Sequence, residues 1–284
     1  MIDLVTFDMD GTVLDSESRL AASAVEAIAA LVACSIPTAS VSGRSIRRSL
    51  EPFVEHPELV RSLYMGGYNG AVIVGPDEGA GRAVLQQERL NAVPFLQLVE
   101  YAQAQALNLI YCKFEDGEDG FVEEYLHAQS VDHLEVLGGP GFVLDESLYA
   151  RCLSGDLGPP PKIMLVVDPA QRDKLIADVE ALCGDQVYSS WALPDRVELM
   201  PKGIDKGVAI RALVQSVGGA VERVLSVGDA DNDLPMLRAA GVGVLMGNAK
   251  SEVKAAVAGE GIRIGPTFAE DGFAEVVREY VLAR

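Results

Sequence analysis

Residues 2–12 of the chain read IDLVTFDMDGT, a short apolar run that ends in two aspartates and a glycine. The apolar run, Ile2 to Phe7, has the length and the composition of a buried strand. Apolar residues then recur at helical spacing from Leu20 to Leu31, and a second apolar run extends from Ile36 to Val41. This order of strand, helix and strand predicts an α/β fold with a Rossmann-like parallel-sheet core and helices on both faces.

The same rhythm returns in the last third of the chain. Val224 to Val227 is a candidate for a buried strand, and a helix candidate follows it. Pro235 near the start of that helix and Gly241 just past its end match the usual asymmetry of helix termini. The first and last thirds of the chain therefore show the same alternation of strands and helices.

The middle third of the chain has a different character. Helix and strand candidates there are interrupted by acidic and glycine-rich stretches. We therefore predict a discontinuous α/β core domain of residues 1–82 and 194–284, and an inserted α+β cap domain of residues 83–193. Such an insertion is compatible with folding because the ends of a compact domain usually lie close together.

The composition narrows the classes of partner. Acidic residues outnumber basic ones by 42 to 23, a formal net charge of −19, which disfavours nucleic acid and anionic membranes as partners. The four cysteines form no C-x-x-C pattern, so no zinc site is expected. No stretch approaches the roughly 18 apolar residues of a membrane span, and the sequence favours a cytoplasmic protein. The oligomeric state stays open.

Three strand candidates end in polar residues that stand beside a glycine or a second carboxylate. Phe7 leads into Asp8-Met9-Asp10-Gly11-Thr12, Val41 into Ser42-Gly43-Arg44, and Val227 into Gly228-Asp229-Ala230-Asp231-Asn232-Asp233. In open parallel sheets, ligands bind at the carboxyl ends of the strands. If the three strands are neighbours, their ends converge on one pocket.

The carboxylates of these motifs favour a metal site. Asp8 and Asp10 are two residues apart in an extended segment, so their side chains leave the same face of it. The two carboxylates of such a pair repel each other unless a cation lies between them. With Asp229 as a third oxygen ligand, Mg²⁺ is the natural cation. The simpler alternatives are an ordinary acidic turn and, for Asp229 to Asp233, a solvated helix N-terminus.

Competing ligand motifs can be tested directly. The alternation of acidic residues from Asp229 to Asp233 also occurs in EF-hand calcium loops, but Leu234 and Ala240 stand where such a loop needs Gly and Glu. The first strand is not followed by G-x-G-x-x-G, and no P-loop pattern occurs. A Rossmann cofactor site and a P-loop are both disfavoured.

Phosphate-binding groups are also present. Ser42 and Gly43 offer a hydroxyl and a backbone N–H of the kind that bind phosphoryl oxygens, although most Ser-Gly pairs are turns. Lys202 and Lys206 flank the probable start of a helix, and either could neutralise phosphate charge.

Taken together, these motifs resemble the haloacid dehalogenase-like hydrolases in order and spacing, and in particular the Cof-type phosphatases with a large inserted cap. The segment Gly67-Tyr68-Asn69-Gly70-Ala71 and the pair Lys206-Gly207 complete the resemblance. It covers essentially the whole chain, strongly in the core and only by length and pattern in the cap. Lys206 is preferred to Lys202 because it stands at the family's usual distance before Asp229.

The resemblance implies roles for individual residues. Asp8 would attack phosphorus and form an aspartyl-phosphate, while Asp10 would act as general acid and base. Mg²⁺ would be held by the Asp8 carboxylate, the Asp10 backbone carbonyl and Asp229. Asp233 would orient these ligands without binding the ion itself. The residues implied in phosphate binding are Thr12, Ser42, Gly43, Lys206 and Asn232.

The implied substrate is a small phosphorylated metabolite, such as a sugar phosphate, a nucleotide or a cofactor phosphate, which the cap would recognise. The acidic loop Glu115 to Gly120 and the turn Gly138 to Phe142 are the predicted contact loops of the cap. Two other functions stay open: a phosphomutase of the same fold, and a non-catalytic phospho-receiver modified on Asp8. Asp10 argues against the receiver, because a switch has little use for a residue that speeds hydrolysis.

Overall fold

The structure is a computed structural model that describes residues 2–79, 81–117, 120–130, 142–190 and 193–283 of the 284-residue chain. The chain divides into two units. The first is made of Met1–Gln86 and Asp205–Arg284, and the second of Gln87–Ile204.

The first unit contains an eight-stranded sheet. In chain order its strands are β1 Leu4–Phe7, β2 Thr38–Val41, β3 Tyr64–Gly67, β4 Val72–Asp77, β5 Arg82–Gln87, β12 Val224–Gly228, β13 Val242–Leu245 and β14 Arg263–Ile264. They lie in the order β14-β13-β12-β1-β2-β3-β4-β5, and the pairs from β14 to β3 are parallel. The pair β3–β4 is antiparallel.

Helices cover both faces of this sheet. They are α1 Ala22–Ala33, α2 Ile46–Leu50, α3 Pro57–Ser62, α7 Lys206–Val217, α8 Leu234–Ala239, α9 Ser251–Ala256 and α10 Gly272–Val277. Leu4 packs in one core cluster with Ile210 and Leu213 of α7. The ring of Phe7 lies 5.2 Å from that of Phe273 in α10. Leu4 and Phe7 point to opposite faces because side chains alternate along a strand. The predicted fold class is thereby confirmed.

The second unit is a six-stranded sheet with helices. Its strands are β6 Asn108–Gly117, β7 Gly120–His127, β8 Phe142–Leu144, β9 Lys162–Val166, β10 Val187–Ser190 and β11 Arg196–Pro201, in the order β10-β11-β9-β6-β7-β8. The helices are α4 Ala92–Ala104, α5 Leu148–Ser154 and α6 Arg172–Cys183. Their apolar residues form one cluster with alternate residues of the strands, such as Leu109 and Tyr111 of β6.

Both predicted domain boundaries need correction. The boundary after residue 82 cuts β5, a strand of the first sheet that reaches Gln87. The boundary before residue 194 assigns β11 to the first unit, whereas β11 pairs with β9 and β10 in the second sheet. Sheet pairing, which joins distant stretches of chain, decides both positions.

The predicted contact loops of the second unit are only partly described. Glu115 and Asp116 belong to β6, and Gly120 begins β7, which pairs antiparallel with β6. Glu118 and Asp119 lie outside the described residues, as do residues 138–141 of the glycine-rich turn. Phe142 begins β8. No helix in the described ranges is long and apolar enough to cross a bilayer.

Gly241 lies at the end of the connection between α8 and β13, but it is not the helix-terminating glycine that the sequence predicts. Helix α8 already ends at Ala239, and Ala240 is extended. A Cβ on Gly241 would come well inside 3.0 Å of the backbone carbonyl of Glu222. Glycine is therefore required here by close backbone approach.

We expect Gly241→Ala to lower the melting temperature, because overpacking against backbone costs about 1–3 kcal/mol, or several degrees in a chain of this size. Gly75→Ala is the control in the same unit, since its Cβ would meet its nearest neighbours at 3.8 Å. Thermal unfolding followed by circular dichroism compares the two variants. Equal melting temperatures would contradict the steric explanation.

Candidate active site

The predicted site residues meet at the carboxyl edge of the first sheet. Strands β12, β1 and β2 are neighbours, and they are followed by Asp229, Asp8 and Ser42 respectively. Two further strands of the same parallel set extend this edge, because β3 is followed by Asn69 and β13 by Asn248. The side chains come together because parallel neighbours have their carboxyl ends at one edge.

Lys206 occupies the centre of this edge. It is the first residue of α7, whose N-terminus is capped by the Asp205 side chain. Its Nζ lies 2.5 Å from Asp8 Oδ1 and 2.6 Å from Asp233 Oδ1. The Lys206 side chain is only 1% exposed. A buried ammonium needs such partners, because an unpaired charge in the protein interior is costly.

Asp233 organises the loop after β12. While Oδ1 accepts from Lys206, Oδ2 accepts the backbone N–H groups of Asp229 and Ala230, each at 2.9 Å. Three donors therefore hold one buried carboxylate. This arrangement matches a supporting position for Asp233 and fixes the backbone that carries Asp229.

The acidic residues around Lys206 fit a divalent cation. Asp8, Asp229 and Asp233 each offer a carboxylate oxygen, and these oxygens all lie within 4.8 Å of one another. Carboxylate oxygens at this spacing suit a hard cation such as Mg²⁺. The Asp10 side chain is not in this group.

The charges of the cluster are not balanced by lysine alone. Burial raises the pKa of Asp8 to about 8, with the Asp233 carboxylate adding to the shift and Lys206 opposing it. Burial also raises the pKa of Asp229 to about 7, again with a contribution from Asp233. For Lys206, burial acts to lower the pKa, but the two neighbouring carboxylates outweigh it and raise that pKa. Three carboxylates around one ammonium leave negative charge that a cation would neutralise.

Asp10 lies in a different environment from Asp8. Its side chain is 56% exposed and forms a two-pronged ion pair with Arg44. Arg44 Nε donates to Asp10 Oδ2 at 2.8 Å, and Nη2 donates to Oδ1. The Nη2 group also donates to Ser18 Oγ at 2.8 Å. Lys206 therefore binds Asp8, whereas Arg44 binds Asp10.

Two of the candidate phosphate-binding residues, Ser42 and Gly43, follow β2 at this edge. Ser42 is buried, and its backbone carbonyl accepts the N–H of Asn69 at 2.9 Å. Asn69 Oδ1 accepts from Asn232 Nδ2 at 3.3 Å, and a Cβ on Gly43 would lie 3.2 Å from the same oxygen. Ser42, Gly43 and Asn232 are therefore brought close to one another through Asn69.

Thr12 and Lys202 complete the predicted set. Thr12 Oγ1 is buried and has no hydrogen-bond partner among the described residues, so it could bind a ligand oxygen. Lys202 is exposed, lies in the second unit, and is bonded through its backbone N–H to the Gln186 carbonyl. The geometry supports Lys206, which the spacing also favours, as the lysine of the site.

Three residues of the site had no assigned role in the sequence analysis: Arg44, Asn69 and Asn248. Asn248 Nδ2 donates to the Gly11 carbonyl at 2.9 Å and lies 3.3 Å from Asp229 Oδ2, while its Oδ1 accepts the Phe268 N–H. It therefore joins three loops. Asn69 and Asn248 follow the segments that form β3 and β13, but they carry no charge that marks them in the sequence.

Comparisons with known proteins agree with this architecture. The sequence pattern of the haloacid dehalogenase-like hydrolases matches residues 5–277. A 5-amino-6-(5-phospho-D-ribitylamino)uracil phosphatase of Bacillus subtilis is 27% identical over 286 residues, covering 98% of this chain and 97% of that protein. The pyridoxal phosphate phosphatase of Escherichia coli is 26% identical over 277 residues, covering 89% and 90%.

A solved structure shows the same fold. It is a haloacid dehalogenase-like hydrolase from Bacteroides thetaiotaomicron, with a TM-score of 0.80, 24% identity, and coverage of 98% of this chain and 99% of that one. The fold and the site define an α/β protein whose candidate site residues lie at the carboxyl edge of a parallel sheet, the edge at which open parallel sheets bind ligands. The chain belongs to the haloacid dehalogenase-like hydrolase family. The predicted family and the predicted enzyme class, a phosphoric monoester hydrolase, are confirmed.

Gly11 offers a sharp test of the site geometry. It has φ +75, and a Cβ there would come well inside 3.0 Å of Asp229 Oδ2. We expect Gly11→Ala to displace Asp229 and to reduce phosphatase activity about a hundredfold, because a displacement of about 1 Å within an active site can cost that much. Hydrolysis of p-nitrophenyl phosphate measures the loss.

The matched control is Gly259→Ala, which has φ +84 and no atom within 4 Å of the added Cβ. It introduces the same backbone strain without the contact. If both variants lose activity equally, strain rather than displacement of Asp229 is responsible.

Proposed function

We propose that the protein is a magnesium-dependent phosphatase that moves a phosphoryl group from a small phosphorylated metabolite to Asp8 and then to water. The observation that carries the proposal is the contrast between two aspartates two residues apart. Asp8 is buried against Lys206 beside Asp229, while Asp10 is exposed and paired with Arg44. Different environments suit such residues to different roles.

In the first step an Asp8 carboxylate oxygen attacks phosphorus, and the bond from phosphorus to the leaving oxygen breaks. Asp10, as the carboxylic acid, gives its proton to that leaving oxygen. In the second step Asp10, now a carboxylate, takes a proton from water, whose oxygen attacks phosphorus. The bond between phosphorus and Asp8 breaks, and orthophosphate leaves.

The remaining site residues bind the phosphoryl group and orient the aspartates. Lys206, the Ser42 hydroxyl and the Gly43 N–H would balance the charge on the phosphoryl oxygens. Asn232 and Thr12 would donate further hydrogen bonds. Mg²⁺, held by the Asp8 and Asp229 carboxylates and the Asp10 backbone carbonyl, would supply the positive charge that the cluster of carboxylates lacks.

We infer that the substrate is a sugar phosphate, a nucleotide or a cofactor phosphate. The support is that the two relatives are named for a ribitylaminouracil phosphate and for pyridoxal phosphate. In this proposal the second unit recognises the leaving group. A cytoplasmic location stays a prediction of the sequence.

The first experiment measures phosphate release from sugar phosphates, nucleotides, pyridoxal phosphate and p-nitrophenyl phosphate, with Mg²⁺ or with EDTA. We expect release that requires Mg²⁺ and falls at least about a thousandfold in Asp8→Asn, because the amide cannot act as the nucleophile. Folded wild-type protein that releases no phosphate from any compound would refute the proposal, as would full activity in Asp8→Asn.

Mg²⁺ affinity should depend on pH. In the metal-free fold, Asp8 and Asp229 bind protons more tightly than in the unfolded chain, so their contribution to stability falls as pH rises from about 4 to about 8. Mg²⁺ must displace these protons. We expect its apparent affinity to weaken by about tenfold per pH unit between about pH 8 and pH 7, where one proton is displaced, and by up to about a hundredfold per pH unit below pH 7, where two are displaced.

Calorimetric titration with Mg²⁺ at about pH 5.5 and about pH 8 tests this expectation, and Asp229→Asn is the comparison that should lose most of the binding. The thermal stabilisation by Mg²⁺ should be larger at the higher pH. Equal affinity at both pH values would show that these carboxylates are not the ligands.

A further inference from the structure

The Asp10–Arg44 pair is held more firmly than an ordinary surface ion pair. The guanidinium binds both carboxylate oxygens, a fork geometry that fixes the plane of the carboxylate. The Arg44 side chain is only 21% exposed. Its backbone is fixed as well, since its N–H donates to Ser42 Oγ at 3.2 Å and its carbonyl accepts the Tyr68 N–H at 2.9 Å.

Ser18 holds Arg44 from the other side. Its hydroxyl accepts from Arg44 Nη2 at 2.8 Å, and its backbone has φ 60, a conformation that non-glycine residues adopt only at some cost. The turn around it is fixed by Asp15, whose Oδ1 accepts the N–H groups of Glu17 and Arg19 at 2.9 Å. Arg44 thus joins the loop after β2 to two parts of the loop after β1, Asp10 and the Asp15–Arg19 turn.

We propose that Arg44 is a positioning residue for Asp10, and that it determines how well the enzyme hydrolyses esters whose leaving oxygen needs a proton. The inference rests on the proposed function, in which Asp10 gives that proton. Arg44 acts through the orientation of the Asp10 carboxylate, with Ser18 orienting Arg44 in turn. A carboxylate on an exposed, freely rotating side chain would spend little time in the productive orientation.

The leaving group supplies a readout that a merely structural role would not move. Departure of p-nitrophenolate, a stable anion, needs little help from an acid, whereas phenolate is more basic and gains more from protonation. Phenyl phosphate and p-nitrophenyl phosphate have similar shapes. The ratio of their kcat/KM values therefore reports on acid catalysis, because kcat/KM covers the steps up to cleavage of the ester bond.

The experiment compares Arg44→Gln, Arg44→Lys and Ser18→Gly with the wild type in the presence of Mg²⁺. We expect Arg44→Gln to lower kcat/KM for phenyl phosphate at least about tenfold more than for p-nitrophenyl phosphate. Arg44→Lys should recover part of the difference, since an ammonium can hold one carboxylate oxygen. Ser18→Gly, which suits the backbone but lacks the hydroxyl, should shift the ratio in the same direction by a smaller factor.

Arg238→Gln is the matched control. Arg238 forms the same two-pronged pair with Glu260, at 2.7 and 2.9 Å, away from the candidate site residues. This variant should leave the ratio of the two substrates unchanged. A changed ratio in Arg238→Gln would overturn the inference, because general loss of an ion pair would then explain the effect.

Two other results would also overturn it. Equal losses of kcat/KM with both esters in Arg44→Gln would show that Arg44 does not act through Asp10. An inhibition constant for orthophosphate that rises by the same factor as the loss of kcat/KM would show that Arg44 binds the phosphoryl group directly. Failure of the proposed function itself would give a different result from failure of this inference. The wild-type protein would then release no phosphate, or the Asp8→Asn variant would remain active. If Arg44→Gln does not fold, Arg44→Lys and Ser18→Gly carry the same comparison.

Discussion

The site depends on one buried ammonium. Lys206 contacts Asp8, which lies 198 positions away in the chain, and Asp233, which follows β12. It therefore ties together β1, the start of α7 and the loop after β12. Removing one partner of a buried ion pair typically costs about 3–5 kcal/mol, because the remaining charge is left unpaired in the interior. The alignment of three separate segments rests on this contact.

The same contact explains the chemical character of the pocket. One ammonium cannot neutralise the three carboxylates around it, and burial makes the remaining negative charge costly. The pKa values of Asp8 and Asp229 rise for this reason. Excess carboxylate charge in a pocket favours protons or a divalent cation, and such a cation would offset the repulsion between these carboxylates and a phosphate dianion.

Asp8 and Asp10 show how the tertiary structure gives two residues of the same type different surroundings. Both residues follow β1 at the same edge of the sheet, yet Asp8 turns to Lys206 and Asp10 to Arg44. The nucleophile proposed here is thus held in a buried, rigid environment. The proposed acid and base lies in a more open one, where a proton can exchange with solvent.

The sequence by itself determined the parallel-sheet core and the motifs at the ends of β1, β2 and β12, because strand periodicity and turn chemistry are local. Its limits appear in the second unit, where β11 was assigned to the wrong unit. Only the pairing of β11 with β9 and β10 decides that assignment.

Only the tertiary structure decided which groups meet at the edge of the first sheet. It placed Lys206, and not Lys202, at the centre of the site, and it supplied the three hydrogen-bond donors of Asp233. It also brought Arg44, Asn69 and Asn248 into the site. These contacts join residues far apart in the chain or depend on the path of a loop. Strand order and loop path arise from the packing of the whole unit, whereas periodicity along the chain records only which face of an element is buried.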